Sequence, residues 1–286
     1  VRRIWAVVTT TVLTASLAAC ASPSEMASGG DDDGTPTLKV GVNPVPHGDI
    51  LAFVRDELAA DAGLKIDIVE IPDYNTPNTQ LVEGELDANY FQHREFLKEW
   101  QDANPDNELS YVTDVHIERL GLYSKKHDKV GDLGEGAEIA VPNDPANLNR
   151  ALRTLEKEGL VEIDPDAGEN ASEKSITENP KDLKITPLEA PQIPRSIDDV
   201  DAAVVNGNFA IEADLSENSE VLAWEPQGGD YAEKYANGLV VPADQADGKQ
   251  VRTLVELLHK PEVAEYIDKT WKGVVLPVDA EGAIEE

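Results

Sequence analysis

Two hydrophobic periods alternate along this chain once a first apolar run, residues 4–19, has passed. Residues 38–42 (Leu-Lys-Val-Gly-Val) put apolar side chains at every second position, the period of a pleated strand. Leu51, Val54 and Leu58 then recur at helical spacing within 50–60, and 65–71 reads as a second strand. A strand, helix and strand joined by a connection long enough for a crossover predict parallel pairing, hence an α/β sheet covered on both faces. The alternation continues. Strands are predicted at 87–90, 120–124, 138–141, 184–186, 202–205 and 238–241. Helices are predicted at 78–83, 94–104, 145–158, 208–215, 249–259 and 261–270. No internal repeat is visible. The long α/β stretch between the strands at 120–124 and 238–241 has the form of a second lobe inserted into the first, so that the chain crosses twice. The expected architecture is therefore two-lobed α/β, with lobe 1 from 37–118 plus 238–286, lobe 2 from 119–237, and a ligand cleft between them.

The first apolar run follows Arg2 and Arg3 and ends on small residues, the layout of a secretory signal over 1–19. Leu17-Ala18-Ala19-Cys20 resembles the bacterial lipobox, in which the cysteine is lipid-modified and becomes the mature N-terminus. Cys20 is the chain's single cysteine, so intrachain disulfides are excluded. Residues 20–36, rich in Ser, Gly, Asp and Pro, read as a flexible tether with a reach of roughly 20 to 25 Å. The expected location is the extracytoplasmic face of the cell membrane, with the lipid bilayer as partner through the Cys20 anchor.

A net charge of −32 excludes nucleic acid as a partner. Asp31-Asp32-Asp33 lacks the spacing of a calcium loop, and no metal is expected there. No G-x-S-x-G, H-E-x-x-H or G-x-G-x-x-G occurs, and the glycines of 131–136 are wrongly spaced for a phosphate loop. Neither an enzyme nor a cofactor is expected. A metal-capturing receptor would draw on His47, His93 or His116 with carboxylates, but no two of these share ligand spacing on one helix.

Several blocks, in order, are more specific than any lone motif. They are Val45-Pro46-His47, Asp73-Tyr74 before Pro77-Asn78, 88–93 (Ala-Asn-Tyr-Phe-Gln-His) and 123–126 (Tyr-Ser-Lys-Lys). The later ones are 141–150 (Val-Pro-Asn-Asp-Pro-Ala-Asn-Leu-Asn-Arg), 188–195 (Leu-Glu-Ala-Pro-Gln-Ile-Pro-Arg) and 205–210 (Val-Asn-Gly-Asn-Phe-Ala). Over about 37–275 the chain resembles the NlpA/MetQ family of methionine-binding lipoproteins. The resemblance implies a two-lobed periplasmic-binding-protein fold that captures methionine, or a related small zwitterion such as D-methionine or a short peptide, for the membrane permease of an ABC importer.

Holding a free amino acid takes a cation for its carboxylate, an acid or carbonyls for its ammonium and an apolar or aromatic slot for its side chain. Arg150, in the first turns of a helix announced by Asp144-Pro145, is assigned the carboxylate, with Asn147 one turn earlier on the same face. The resemblance places a ligand-contacting asparagine at Asn206, at a strand end. Tyr74, Phe91 and His93 are expected to form the side-chain slot, since a thioether packs well against aromatic edges. Glu118 is the candidate for the ammonium, although family members carry proline where Arg119 stands, and Arg119 is itself a candidate to neutralise it. Asn149 stands where a glycine is usual. Losing Arg150 is expected to cost affinity and leave the fold intact, whereas Arg195 reads as structural.

Overall fold

The computed structural model describes residues 34–215, 219–228, 230–279 and 283–284. The signal-like segment, Cys20 and nearly all of the tether lie outside them. The first alternating run forms β1 (Thr37–Val42), followed by α1 (Asp49–Val54), whose helical path continues through Arg55–Ala59, and by β2 (Lys65–Glu70). β1 and β2 pair in parallel, as a strand–helix–strand crossover requires. Then come α2 (Thr76–Val82), β3 (Ala88–His93), α3 (Arg94–Ala103), β4 (Leu109–Glu118) and β5 (Gly121–Ser124). After β6 (Glu138–Pro142), α4 (Pro145–Lys157) leads to the short pair β7 (Glu162–Ile163) and β8 (Ile176–Glu178) and to β9 (Lys184–Leu188). α5 (Ile193–Ser196), β10 (Ala202–Val205), α6 (Gly207–Glu212), β11 (Glu220–Trp224) and α7 (Tyr231–Tyr235) follow. The chain closes with β12 (Asn237–Pro242), α8 (Lys249–Leu258), α9 (Pro261–Trp271) and β13 (Val275–Pro277).

Among the described residues these strands make two large sheets. One has the order β13-β4-β12-β3-β1-β2, the other β11-β5-β10-β6-β9. Parallel pairs form one side of each sheet out to its edge, β1 with β2 and β3, and β6 with β9 and β10, while β4, β5, β11, β12 and β13 pair antiparallel. The fold is thus two-lobed α/β. The chain passes between the sheets through residues 119–120 and again through 225–236.

Each sheet has its own core. Val251, Leu254, Leu257, Val263 and Ile267 of α8 and α9 pack with Ile50, Leu51 and Val54 against Val40, Val42 and Leu239 of the first sheet. Ala151, Leu152 and Leu155 of α4 cover Ile139, Val141 and Val204 of the second. Each such side chain contributes about 1.5 to 3 kcal/mol when fully buried, so both sheets hold their helices without the other's help.

Five strands escape the hydrophobic pattern, β4, β7, β8, β11 and β13. β4 reads Leu-Ser-Tyr-Val-Thr-Asp-Val-His-Ile-Glu, and two of its polar residues, His116 and Glu118, are themselves buried. A buried polar residue breaks the alternation that marks a strand. β7, β8 and β13, of two or three residues, are too short to show a period, and β11 runs Val-Leu-Ala-Trp without alternation.

Candidate functional site: a polar and aromatic cleft

Between the sheets lies a narrow cavity with about 20 Å³ of open interior. Tyr74, Phe91, Gln92, His93, Phe96, Glu118 and Asn237 reach it from the first sheet and its connections, and Leu120, Asn147, Arg150, Asn206 and Gly207 from the second. All seven residues singled out in the sequence therefore face one space. Gln92, Phe96, Leu120, Gly207 and Asn237 were not foreseen.

The polar wall is built on the N-terminus of α4. Asp144 caps that helix by accepting from the Asn147 N–H (2.9 Å), and Pro145 supplies the fixed φ of a first helical position. Three-residue spacing stacks Asn147 under Arg150, whose Nη1 donates to Asn147 Oδ1 at 3.0 Å. Arg150 is only 4% exposed, and its cation is already engaged. Nε and Nη2 donate side by side to Glu225 Oε2 and Oε1 at 2.9 and 2.7 Å, and the Tyr235 ring lies 4.5 Å from the guanidinium. Burial works against the charged form, but Glu225 outweighs it and holds the guanidinium pKa above its ordinary value. The expectation that Arg150 can be lost without cost to the fold is therefore corrected, because its removal would strand a buried carboxylate. Glu225 was not legible in the sequence, where it is one acid among many after a strand end.

His93 joins the same wall. Its Nδ1 accepts from the Phe96 N–H (3.2 Å) and so caps α3, which puts the proton on Nε2 for donation to Asn147 Oδ1 (3.2 Å). Burial and the nearby Arg150 cation lower its pKa to about 3, so the ring is neutral at pH 7. Phe96 completes the aromatic side. Tyr74 has its ring centroid 6.0 Å from Phe91, 5.7 Å from Phe96 and 5.1 Å from Phe209, and its hydroxyl donates to Asn208 Oδ1 across the cleft (2.7 Å).

Glu118 forms the floor. A carboxylate only accepts, so His116 Nε2 donates to its Oε1 at 2.8 Å and the Asn208 N–H donates to Oε2 at 2.6 Å, while His47 Nε2 lies 3.2 Å from Oε1. Tyr90 hydrogen-bonds the far nitrogen of His116, and Asn237 Oδ1 accepts from His47 Nε2 (3.1 Å). The backbone of α6 comes this close because residue 207 is glycine. A Cβ there would stand 2.6 Å from Glu118 Cβ and 3.1 Å from the Arg119 carbonyl oxygen. Burial lowers the pKa of His116 to about 3 and, with Glu118 opposing, that of His47 to about 4. Burial also raises the Glu118 pKa, against the pull of His47, the Asn208 N–H and Arg150. Arg119 does not neutralise this acid in the structure; its guanidinium lies over the Trp224 ring at 4.6 Å.

Two features bear directly on what this space can hold. Asn206 is 5% exposed, and its Oδ1 has no hydrogen-bond partner among the described residues. The donor atoms of His47, His116 and Glu118 also lie within 4.8 Å of one another, a two-histidine, one-carboxylate set of the kind that holds zinc. His116 and Glu118 share β4, two residues apart, and His47 comes from the turn after β1, so helix spacing could not reveal the set. Asn149 points elsewhere, donating to Glu169 (3.1 Å) beside a neighbouring cavity that shares Arg150. Arg195 is exposed, so nothing in its burial supports a structural role.

Comparison with known proteins gives one answer. Residues 38–279 match the family model described as NlpA lipoprotein. The D-methionine-binding lipoprotein MetQ of Escherichia coli strain K12 is 36% identical over 248 residues, covering 85% of this chain and 89% of that protein. A nutrient-binding protein from Burkholderia cenocepacia, solved bound to methionine, superposes with a TM-score of 0.79 at 38% identity, covering 84% of this chain and 99% of that one. A periplasmic substrate-binding protein of an ABC transporter from Coxiella burnetii gives 0.78 at 35%, with 84% and 100% covered. Sheets, cleft and likeness over nearly the whole described chain converge: the chain belongs to the NlpA lipoprotein family.

Proposed function

We propose that this chain is an extracytoplasmic substrate-binding lipoprotein that captures methionine for an ABC importer. One observation carries the reading: a cleft between the two sheets puts the Arg150 guanidinium and the unpartnered Asn206 Oδ1 beside the rings of Tyr74, Phe91 and Phe96. Arg150, with Asn147, takes the carboxylate. Asn206, whose Oδ1 has no partner among the described residues, and Glu118, whose carboxylate also accepts from His116 and the Asn208 N–H, take the ammonium. The aromatic rings and His93 surround the thioether. Family membership supports the same ligand class, since relatives are named for methionine binding and one is an ABC-transporter component.

The remaining parts of the reading follow from it. Lobe 1 comprises 37–118 plus 238–286 and lobe 2 comprises 119–237, which the sheet membership of their strands supports. A permease is the membrane partner, and Cys20 carries the lipid. Among the described residues no helix is long and apolar enough to cross a membrane, in keeping with an anchor of that kind. The role is capture, not catalysis.

A second reading, a metal-capturing receptor, is favoured by the His47, His116 and Glu118 set. Thermal unfolding with and without L-methionine, D-methionine, a methionine dipeptide and zinc separates the two. At 100 times its dissociation constant a ligand adds about 2.7 kcal/mol to the folded state, and methionine is expected to raise the melting temperature accordingly. A rise with zinc and none with any methionine compound would replace the first reading by the second.

A further inference from the structure

Glu225 stands at the first residue after β11, where the chain leaves the second sheet for the first, and it is 2% exposed. Its carboxylate is fully occupied. Oε1 accepts from Arg150 Nη2 (2.7 Å), from the Leu120 N–H (2.7 Å) and from the Tyr231 hydroxyl (2.6 Å), and Oε2 accepts from Arg150 Nε (2.9 Å). Its backbone N–H donates in turn to the Leu120 carbonyl (3.1 Å). Leu120 lies in the first connection between the sheets, and Tyr231 lies in the second, as Glu225 does. One carboxylate thus joins the cleft's cation to both strips of chain that link the lobes.

This arrangement has two physical consequences. Side-on pairing takes up Nε and Nη2, the latter donating also to the Glu118 carbonyl oxygen (3.4 Å), and leaves for a guest carboxylate the one N–H of Nη1 beside that given to Asn147. Any movement of one lobe on the other has to be absorbed in the two connections, because no other chain segment passes between the sheets among the described residues. A surface ion pair does neither of these things.

We propose that Glu225 is the positioning residue that couples ligand capture at Arg150 to the placement of the two lobes, by fixing the edge of the guanidinium the ligand meets and pinning both connections to it. The inference rests on the proposed function. It goes beyond a structural ion pair, which would stabilise the fold without acting on the ligand's residence.

The test is stopped-flow release of methionine, followed by intrinsic fluorescence, from the wild-type lipoprotein and from Glu225→Gln, Tyr231→Phe, Arg150→Ala and the Arg150→Ala, Glu225→Gln double variant. Trp224 adjoins the first connection through Arg119 and reports there. Glu225→Gln is expected to speed release by about tenfold or more with little change in association, since altering a buried charge pair acts on dissociation. Tyr231→Phe, which leaves no buried charge without its cation, is expected to act in the same direction by about tenfold, the lower end for one hydrogen bond to a charged group. The double variant should bind no more weakly than Arg150→Ala alone. Release within twofold of wild type in both single variants, alongside a lowered melting temperature, would reduce Glu225 to a structural role. So would additive losses in the double variant. If Glu225→Gln does not fold, Tyr231→Phe decides the matter alone. Wild type that takes up no methionine overturns the functional reading, and this inference with it.

Discussion

Arg150 stands between two carboxylates, Glu225 of its own chain and the one expected from the ligand. Replacing it with alanine should therefore be felt twice. Binding loses a charge-assisted contact in a cleft partly closed to water, which weakens methionine at least about 30-fold. The unliganded protein also keeps Glu225 buried without its cation, a loss of about 3 to 5 kcal/mol in unfolding free energy. Calorimetric titration and urea unfolding of the same preparation measure the two. Methionine methyl ester, which lacks the ligand charge, should bind wild type more weakly than methionine and lose less on Arg150→Ala. Equal losses for both ligands would mean that Arg150 does not meet the carboxylate. Asn147 Oδ1 accepts from both Arg150 Nη1 and His93 Nε2, which ties these two side chains to the same wall.

Elements enter through the floor and wall of the cleft, where β3, β4 and the turn after β1 bring His93, His116 and His47 into buried positions. The folded chain holds these rings to pKa values of about 3, 3 and 4, against an ordinary value of 6.5. Below 6.5 the unfolded chain binds protons that the folded chain refuses, so their contribution is whole above that pH and is lost as pH falls towards 4 to 3. Glu118, raised by burial, acts in the opposite sense: its contribution is present below the ordinary carboxyl value and is lost as pH rises. Unfolding free energy is accordingly expected to rise with pH between about 5 and 6.5, with His116→Gln flattening the slope by about one proton. Denaturant titrations of the two proteins at several pH values check this, and identical slopes would mean that His116 does not carry the effect. β4 matters twice here, since the polar residues that hide it from the hydrophobic pattern are the ones that furnish the floor.

At the scale of the whole molecule the body and its attachment are separate matters. The two cores are complete within the described residues, while the proposed anchor, Cys20, lies outside them. A single acylated cysteine at the end of a flexible tether would hold an acidic body near a membrane partner without a spanning helix. Fractionated cells should show the wild-type protein with membranes and Cys20→Ser released from them. A wild-type protein found wholly in the soluble fraction would remove the anchor from the proposal.

The switch between strand and helix periods and the order of the motif blocks determined the α/β character, the insertion of one set of strands within another, and the family. They do so because each is written locally: a period records which side of its own element a residue occupies, and a motif records a turn or a cap. The same local signals picked out Tyr74, Phe91, His93, Glu118, Asn147, Arg150 and Asn206, which line one cavity. What only the tertiary structure decided is who meets whom across it. Glu225 reaches Arg150 over 75 residues of chain, and His47 meets Glu118 because β1 and β4 belong to one sheet. Nothing in the spacing of either pair announces it, because a buried charge finds its partner through sheet order and packing, and those are properties of the assembled lobes.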